Sequence, residues 1–567
     1  RKQWLLTATA HPPDYIDHAQ SELTYNDFVH KELVQFSLAS VQRSIPSVLD
    51  GLKPSSRKIL FACFKRRLAS ELKVAQLGGY VAEQTGYHHG EASLYDTIVR
   101  MAHDYPGSNN LPLLHGIGQF GTRLEGGKDA ASPRYIFTLL HNHTRLLFPE
   151  ADDSLLAREE EDGLLVEPTA YLPIIPMLLV NGSVGIGTGW STDIPQYNPL
   201  DVIDTVAALL KEQAPTELTP WFAGYRGRIE MDGKRNQFTS EGKLQVVGER
   251  KVQVTELALR DWTEDFLNRL KALIAGEDGG GGQVVDYDHK YSVVAVDCTV
   301  ELAPEFPSLS SGEGKEEALE KVKAMLGLQR NHSLRNMYAF DPSGKIKLYG
   351  TPTEMVQDYL EIRLKLYHRR KRRDVCRMRS NALRLANQVR FLDMVSDGSL
   401  SLKKGESALD GLGFTSETEL REVEHAWLAG DSEQAAVHAS RTGAEASMVG
   451  REHESDVDAE SKSGETSLAT RREEGITYGY LLRQPMFSLT AARREKLEAQ
   501  RRAAQEELER MERLDPKDIW LEELGALRTV VAEYLRGREA AVDKAWDAVE
   551  EEPKPARKKS TKRTAKR

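Results

Sequence analysis

Two long helical patterns, far apart in the sequence, constrain this chain most. The first runs from Thr353 to about Val395, with Val356, Tyr359, Leu360, Leu364, Tyr367, Leu383 and Leu392 in helical rhythm around a basic run, Arg369-Arg370-Lys371-Arg372-Arg373. The second, Thr490 to Met511, is rich in Ala, Glu, Arg and Leu. Two such helices separated in sequence predict an antiparallel coiled coil. Between them, residues 430–474 hold 11 acidic and 5 basic side chains among Ser, Gly and Ala, which predicts a disordered insertion. A chain of 567 residues leaves room for three or four domains around that pair.

The rest of the chain changes character in blocks. Residues 1–30 are mixed and polar, a connector entering a domain. From Asp27 to about Glu150 the chain is dense in His, Arg, Lys and Gly between amphipathic stretches. Residues 164–350 turn strand-like, with Leu165-Val166, Tyr171 to Ile175 and the β-branched run Tyr291 to Val296. Gly276 to Gly282 reads as a flexible surface loop. From about 546 to 567 the chain reads as a disordered basic tail, with eight Lys or Arg in the last 14 positions, either a nuclear import signal or a DNA-contacting arm. No apolar run approaches the length of a membrane-spanning helix, and no apolar stretch follows Arg1-Lys2 as a secretory leader requires. Arg1 in place of Met leads us to expect a piece of a longer product. Cys63, Cys298 and Cys376 are too scattered for a disulfide framework or a CxxC metal site. The net charge of −10 argues against a uniformly basic nucleic-acid coat and leaves a local basic groove open.

Chemistry concentrates in residues 50–140. Gly51 to Lys58 (GLKPSSRK) opens a helical run, and Lys53, Arg57 and a helix N-terminus there suit a phosphate as well as they suit an ordinary capped helix with a solvated start. Tyr87-His88-His89-Gly90-Glu91 sits between two helical stretches, the pattern of a helix-turn-helix DNA reader. Adjacent histidines point to different faces and no further ligand has metal spacing, so phosphate binding fits His88 and His89 better than zinc does. Glycines beside Arg123 and Lys128 would let cations approach a polyanion. Arg134 beside Tyr135 makes a nucleophilic tyrosine admissible, because a guanidinium favours phenolate character and holds phosphoryl oxygens.

Several strings together resemble one family: Tyr87-His88-His89-Gly90-Glu91, Gln119-Phe120-Gly121-Thr122-Arg123, Gly127-Lys128-Asp129-Ala130-Ala131, Pro133-Arg134-Tyr135-Ile136-Phe137-Thr138, Asn181 to Trp190 (NGSVGIGTGW), Asn336 to Asp341 (NMYAFD) and Asp518-Ile519-Trp520. In this order they resemble eukaryotic DNA topoisomerase II, a type IIA topoisomerase, over roughly Tyr25 to Leu535. The resemblance implies that Tyr135 attacks DNA and stays linked to the 5′ phosphate. It implies that Arg134 stabilises the transition state, and that Arg57 and His89 are basic groups around the scissile phosphate. It places Lys53 and Tyr87 at DNA-contact positions and makes Ile186 the residue that wedges between base pairs; Lys58, His88, Arg123 and Lys128 are read as further DNA contacts. The glycines at 182, 185, 187 and 189 do not have GxGxxG spacing, so a nucleotide loop is a weak reading on spacing alone.

The same resemblance implies an α+β multidomain chain: a winged-helix DNA-cleavage domain over 31–163, an α/β tower over 164–350, and a coiled coil with an exit gate over 351–545. It implies a nuclear homodimer acting on double-stranded DNA, with no membrane attachment. Mg²⁺ would be held by a TOPRIM domain and ATP by an ATPase domain, both expected to be absent from this chain, so no metal ligand is assigned within it. Gly430-Asp431-Ser432 in the acidic insertion is read as coincidence, and Thr138-Leu139-Leu140 as a minor departure from the family pattern. Two other classes compete. An architectural protein would bind and bend DNA without covalent adducts, and a coiled-coil scaffold would dimerise with little DNA affinity.

Overall fold

A computed structural model describes residues 1–9, 14–17, 19, 22–161, 163–276, 282–290, 292–309, 315–400, 406–429, 478–483 and 491–551. It is a mixed helix and sheet structure whose residues divide into two compact units, one of residues 1–149, 158–360 and 523–567, the other of 150–157 and 361–522.

The first unit opens with helices α1 (Lys2–Thr9) and α2 (Tyr25–Asp27), a π-helical turn (Phe28–Leu33) and α3 (Val34–Ser44). Helix α3 stops where Pro46 forces Ile45 into extended backbone (φ −95°, ψ 131°). Its apolar face, Val34 and Val41, packs with Leu5, Ile45 and Trp190. Next come α4 (Pro54–Lys65), α5 (Val74–Thr85) and α6 (Glu91–Met101). Proline at the start of α4 fits because the first helical N–H has no intrahelical partner anyway. Helix α5 closes on Gly86 in the left-handed region (φ 58°), so α5, a short turn and α6 follow in close succession. An antiparallel sheet joins them, with strands β1 (Leu72–Lys73), β2 (Leu114–Ile117) and β3 (Phe137–Leu140) in the order β1-β3-β2. Thr138 of the central strand pairs with Leu72 on one side and Gly116 on the other.

Beyond α7 (Thr144–Leu147) lie two hairpins, β4 (Arg158–Glu161) with β5 (Leu164–Pro168), and β6 (Ser183–Ile186) with β7 (Ser191–Ile194), with α8 (Met177–Asn181) between them. Leu165 and Val166 fall in β5 as expected. The Tyr171–Ile175 segment is not a strand: Pro173 and Pro176 remove ladder donors, and the segment is buried as irregular chain. After α9 (Pro199–Leu210), strands β8 (Arg228–Asp232), β9 (Gln237–Glu241) and β14 (Gln329–Ser333) form one sheet. Strands β10 (Lys243–Val246), β11 (Lys251–Glu256), β12 (Val284–Lys290) and β13 (Asp297–Leu302) form another, in the order β10-β11-β13-β12. Val252, Val254 and Val300 of the latter pack against Phe266 and Leu270 of α10 (Thr263–Ala275) and Val322 of α11 (Lys315–Leu326). The strand expected over 291–296 starts later, at Asp297. The Ser292 hydroxyl accepts from the N–H groups of Val294 and Ala295 (3.2 and 3.0 Å), which turns the chain before it. The hairpin β15 (Tyr338–Phe340) with β16 (Ile346–Leu348) leads into α12 (Pro352–Ser396).

The second unit is built on α12 and α16 (Ala491–Arg513), close to the two helices read from the sequence. Arg494 pairs with Asp393, whereas Arg379 pairs with Glu512 at 2.8 Å. One helix therefore climbs as the other descends, an antiparallel pair. Val389 and Leu392 meet Leu497 at their seam. Short helices α13 (Glu406–Gly411), α14 (Glu417–His425) and α15 (Gly479–Leu482) surround a small core of Phe391, Leu400, Leu409, Phe414, Tyr478 and Leu481. Trp520 of α17 (Pro516–Glu551) stacks on Tyr367 with centroids 5.1 Å apart. Helix α17 runs on to Glu551, past the tail boundary expected at 546. The insertion over 430–474, the tail beyond Glu551 and residues 277–281 of the glycine loop lie outside the described residues.

Candidate functional site

The basic residues of Gly51–Lys58 point in different directions. Gly51 (φ 68°) leaves no room for a side chain, because a Cβ there would sit 2.6 Å from the Leu178 nitrogen. Asp50, fully buried, accepts from Leu52 N–H (2.9 Å), Tyr171 N–H (3.0 Å) and Arg57 Nε (2.8 Å). Arg57 is therefore turned inward. Burial works against its charge, yet the Asp50 carboxylate outweighs burial and holds the guanidinium above its ordinary pKa. It braces the turn before α4, its Nη2 also donating to the Leu52 carbonyl at 3.2 Å. Lys58 is likewise committed, donating to the Thr85 carbonyl (2.7 Å), Glu161 (2.7 Å) and Glu167 (3.1 Å). Lys53 precedes α4 and donates to the Val184 carbonyl at 2.8 Å. Burial, then Arg100, lowers its pKa.

Tyr87, His88 and His89 occupy the turn between α5 and α6, where Gly86 and Gly90 both have positive φ. The rings lean on each other, Tyr87 edge-on to His89 at 5.5 Å and His88 to His89 at 4.6 Å. They line a cleft of about 430 Å³ with Arg43, Ser55, Lys58 and Glu161. Desolvation, followed by the charges of His88 and Arg43, lowers the His89 pKa. Arg43 was missed from the sequence. It stands in the last turn of α3, where a cation reads as a partner of the helix dipole. Only the fold shows that it lines the same cleft as the histidine turn.

Tyr135 closes a turn, its N–H donating to the Ser132 carbonyl (2.9 Å), immediately before the central strand β3. Ile136 and Thr138 point inward and are buried, so the alternation of the strand turns Tyr135 out, 65% exposed. The backbone around it is tied to the start of α5: Ala75 N–H donates to the Pro133 carbonyl (3.1 Å) and Val74 N–H to the Ile136 carbonyl (3.0 Å). Arg134, exposed, holds its guanidinium 4.8 Å from the Tyr135 ring centroid. An outward hydroxyl on rigid backbone beside a cation is the geometry a nucleophilic tyrosine needs.

The loop 119–129 differs from its reading as a polyanion cradle. Asp129 accepts from Thr122 N–H (2.8 Å), Thr122 Oγ1 (2.7 Å) and Gln119 (3.0 Å), folding the loop on itself. A Cβ on Gly126 would lie 2.3 Å from Trp262, and one on Gly127 2.4 Å from His103. These glycines serve packing. Arg123, expected as a DNA contact, is buried in an internal ion pair with Glu256 and also reaches the Val294 carbonyl (3.4 Å). Lys128 remains exposed.

The hairpin of β6 and β7 presents Ile186, 82% exposed. A Cβ on Gly185 would be 2.0 Å from the Ser44 carbonyl oxygen, and one on Gly187 3.1 Å from Val41 Cα. The alternating glycines thus lay the hairpin flat on α3 and turn the isoleucine between them outward. They form no nucleotide cradle, so the residues here do not fit ATP. Among the described residues, no group of three or more His, Cys, Asp and Glu side chains is arranged to hold a metal ion, so they do not build a divalent-cation site either. No described helix is long and apolar enough to cross a membrane.

The family model for the A-type chain of DNA gyrase/topoisomerase IV matches residues 43–525. The chain belongs to this family. It is 38% identical to the DNA topoisomerase 2 of Meyerozyma guilliermondii over 549 residues, 94% of this chain and 37% of that protein. It is 39% identical to the DNA topoisomerase 2 of Arabidopsis thaliana, over 97% of this chain and 36% of that one. The chain thus spans little more than a third of the curated relatives it matches. Among solved structures, it is similar to the Plasmodium falciparum topoisomerase II DNA-binding, cleavage and re-ligation domain, with a TM-score of 0.75 and 32% identity over 95% of this chain and 68% of that one. The resemblance to eukaryotic DNA topoisomerase II read from the motifs agrees with these relatives.

Proposed function

We propose that this chain is the DNA breakage-reunion part of an ATP-dependent type II topoisomerase that works as a nuclear homodimer. The observation that carries the reading is Tyr135, outward and braced at the head of β3 beside Arg134. In the reaction, Tyr135 Oη forms a bond to a backbone phosphorus as the bond to the 3′ oxygen breaks. The tyrosyl proton is lost and the 3′ oxygen leaves as a hydroxyl; the 5′ phosphate stays on the tyrosine, and reversal reseals the strand. Arg134 offsets charge on the phosphoryl oxygens, while Arg43, Lys53, His88 and His89 position the backbone. Two chains place two tyrosines on opposite strands, and a second duplex passes through the gap, giving relaxation and decatenation.

The unit of α5, α6 and the three-stranded sheet acts as the winged helix, and residues 164–350 as the tower. Ile186 wedges between base pairs and bends the gate duplex, a cost offset by wider protein contact. The antiparallel helices and the small core around Phe391 and Phe414 form the coiled coil and exit gate. Mg²⁺ would supply charge neutralisation at the phosphate and ATP would drive the strand-passage cycle, held by the TOPRIM and ATPase domains that the family resemblance implies. Nuclear import rests on the basic tail and on the eukaryotic source of the relatives. The test is a denaturing gel for protein-linked DNA, using this chain joined to the parent's metal-binding segment. Tyr135→Phe is expected to abolish adducts while duplex binding stays within about twofold, because only one hydroxyl is removed. Adducts from the Phe variant would refute the assignment.

A further inference from the structure

The cleft between α3, α4 and the histidine turn carries its own anion. Glu161, at the end of β4, sets Oε2 2.7 Å from Lys58 Nζ and Oε1 3.7 Å from His88 Nδ1. Its carboxyl carbon lies against Gly86, 3.4 Å from where a Cβ there would stand. One oxygen sits on the ammonium, as an unesterified oxygen of a phosphodiester would, and the other faces the His88 ring, whose Nδ1 is bonded to the Gly86 carbonyl at 3.1 Å. Among the described residues lining the cleft, Glu161 is the one carboxylate. Its side chain is 30% exposed, whereas Glu167 behind it is buried. Lys58 has Glu167 (3.0 Å) and the Thr85 carbonyl (2.7 Å) to hold it in place if Glu161 moves off. The arrangement is therefore built to exchange one anion at its open side without collapsing.

Resting on the reading of this cleft as a DNA-backbone site, we infer that Glu161 is an internal competitor for the phosphodiester. Its carboxylate occupies the place of a phosphate on Lys58 and His88 and gives it up when the duplex enters. Two consequences separate this from the repulsion any nearby acid exerts. Removing the carboxylate leaves Arg43 and Lys58 against Glu167 alone, so the cleft gains net positive charge and affinity rises. The cleft then collects counterions that DNA must release, so the dependence on salt steepens. A general acid on the rim weakens binding slightly and leaves the number of released ions unchanged.

The experiment is fluorescence anisotropy of a short labelled duplex titrated with the full chain over a series of salt concentrations. Glu161→Gln is expected to bind about fivefold tighter at low salt. Its slope of log K against log salt should steepen by up to about 0.9. Glu160→Gln, on the exposed face of the same strand, is expected to change affinity by less than about twofold and leave the slope alone. If Gln at 161 unfolds the hairpin, Glu161→Asp, which keeps the charge and shortens its reach, carries the test with the same expected sign. Indistinguishable behaviour of the 161 and 160 variants, or weaker binding by the 161 variants, overturns the competition and leaves the DNA reading standing. A wild-type chain that binds no duplex at any salt overturns the DNA reading and the competition with it.

Discussion

The loop 119–129 and the cleft around residues 43–58 and 86–89 look alike as sequence. Each strings glycines among basic side chains. In the structure they are opposites. The loop spends Arg123 on buried Glu256, its glycines on Trp262 and His103, and Asp129 on its own backbone. The cleft keeps His89 and Arg43 on its surface and closes only one wall, with Glu161. The glycines differ as well: a Cβ on Gly126 meets an indole, whereas one on Gly90 meets nothing within 4 Å. Basic, glycine-rich motifs can thus mark a packed corner or an open basic cleft, and each cation in them is decided singly, by whether a buried carboxylate takes it, as Glu256 takes Arg123 and Asp50 takes Arg57.

That contrast can be broken at several points. The largest effect is expected from Arg123→Met, which strands Glu256 in the interior. A loss of about 3–5 kcal/mol follows from an unpaired buried charge, read by urea unfolding. Duplex binding by the fraction that stays folded should match wild type, and a stable variant with weakened binding would move Arg123 back to the DNA. Next come the glycines. Gly126→Ala should cost about 2–3 kcal/mol through overpacking and positive φ. Gly90→Ala should cost only about 1–2 kcal/mol, since it has backbone strain without a clash. Equal costs would erase the difference between corner and cleft.

Smaller still is Arg43→Gln, expected to leave unfolding unchanged and to reduce the salt slope of duplex binding by about 1, the loss of one phosphate contact. An unaltered slope would return the basic role to another residue. The smallest effect concerns pH. His103 donates from Nε2 to the Phe120 carbonyl (2.8 Å) and meets the Tyr105 hydroxyl at Nδ1 (3.1 Å), and burial lowers its pKa. A folded value below the unfolded 6.5 means that this stabilisation is complete above pH 6.5. It is lost as pH falls toward the depressed value, because the unfolded chain then takes up the proton more readily. An NMR titration of the His103 ring at or above 6.5 would contradict it.

Much of the site could be read from the chain itself. Tyr135, Arg134 and the histidine turn sit in contiguous strings whose local geometry follows from a few residues, and the two long helices follow from their periodicity. What could not be read was the direction of individual cations. Arg123 is committed by Glu256, 133 positions away. Arg57 is committed by Asp50, whose burial depends on contact with Tyr171, 121 positions away. Arg43 becomes available because α3 brings it to a turn more than one helix later. A sequence lists charges, and only a fold pairs them. The two misplaced strands had local causes instead, prolines at 173 and 176 and the Ser292 hydroxyl, which outweighed apolar, β-branched composition.

The position of Tyr135 at the mouth of the central strand has a mechanical meaning. Strand β3 is hydrogen-bonded along both edges, to β1 and to β2. A duplex tethered through the tyrosine and pulled by torsion would load this strand along its length. Bonds crossing perpendicular to a pull share it in shear, whereas at the outer strand of a sheet a tether could peel them off one after another. Under the proposed function, the covalent link to DNA would be anchored at the place in this sheet where slow, steady tension is shared among bonds rather than spent on one at a time.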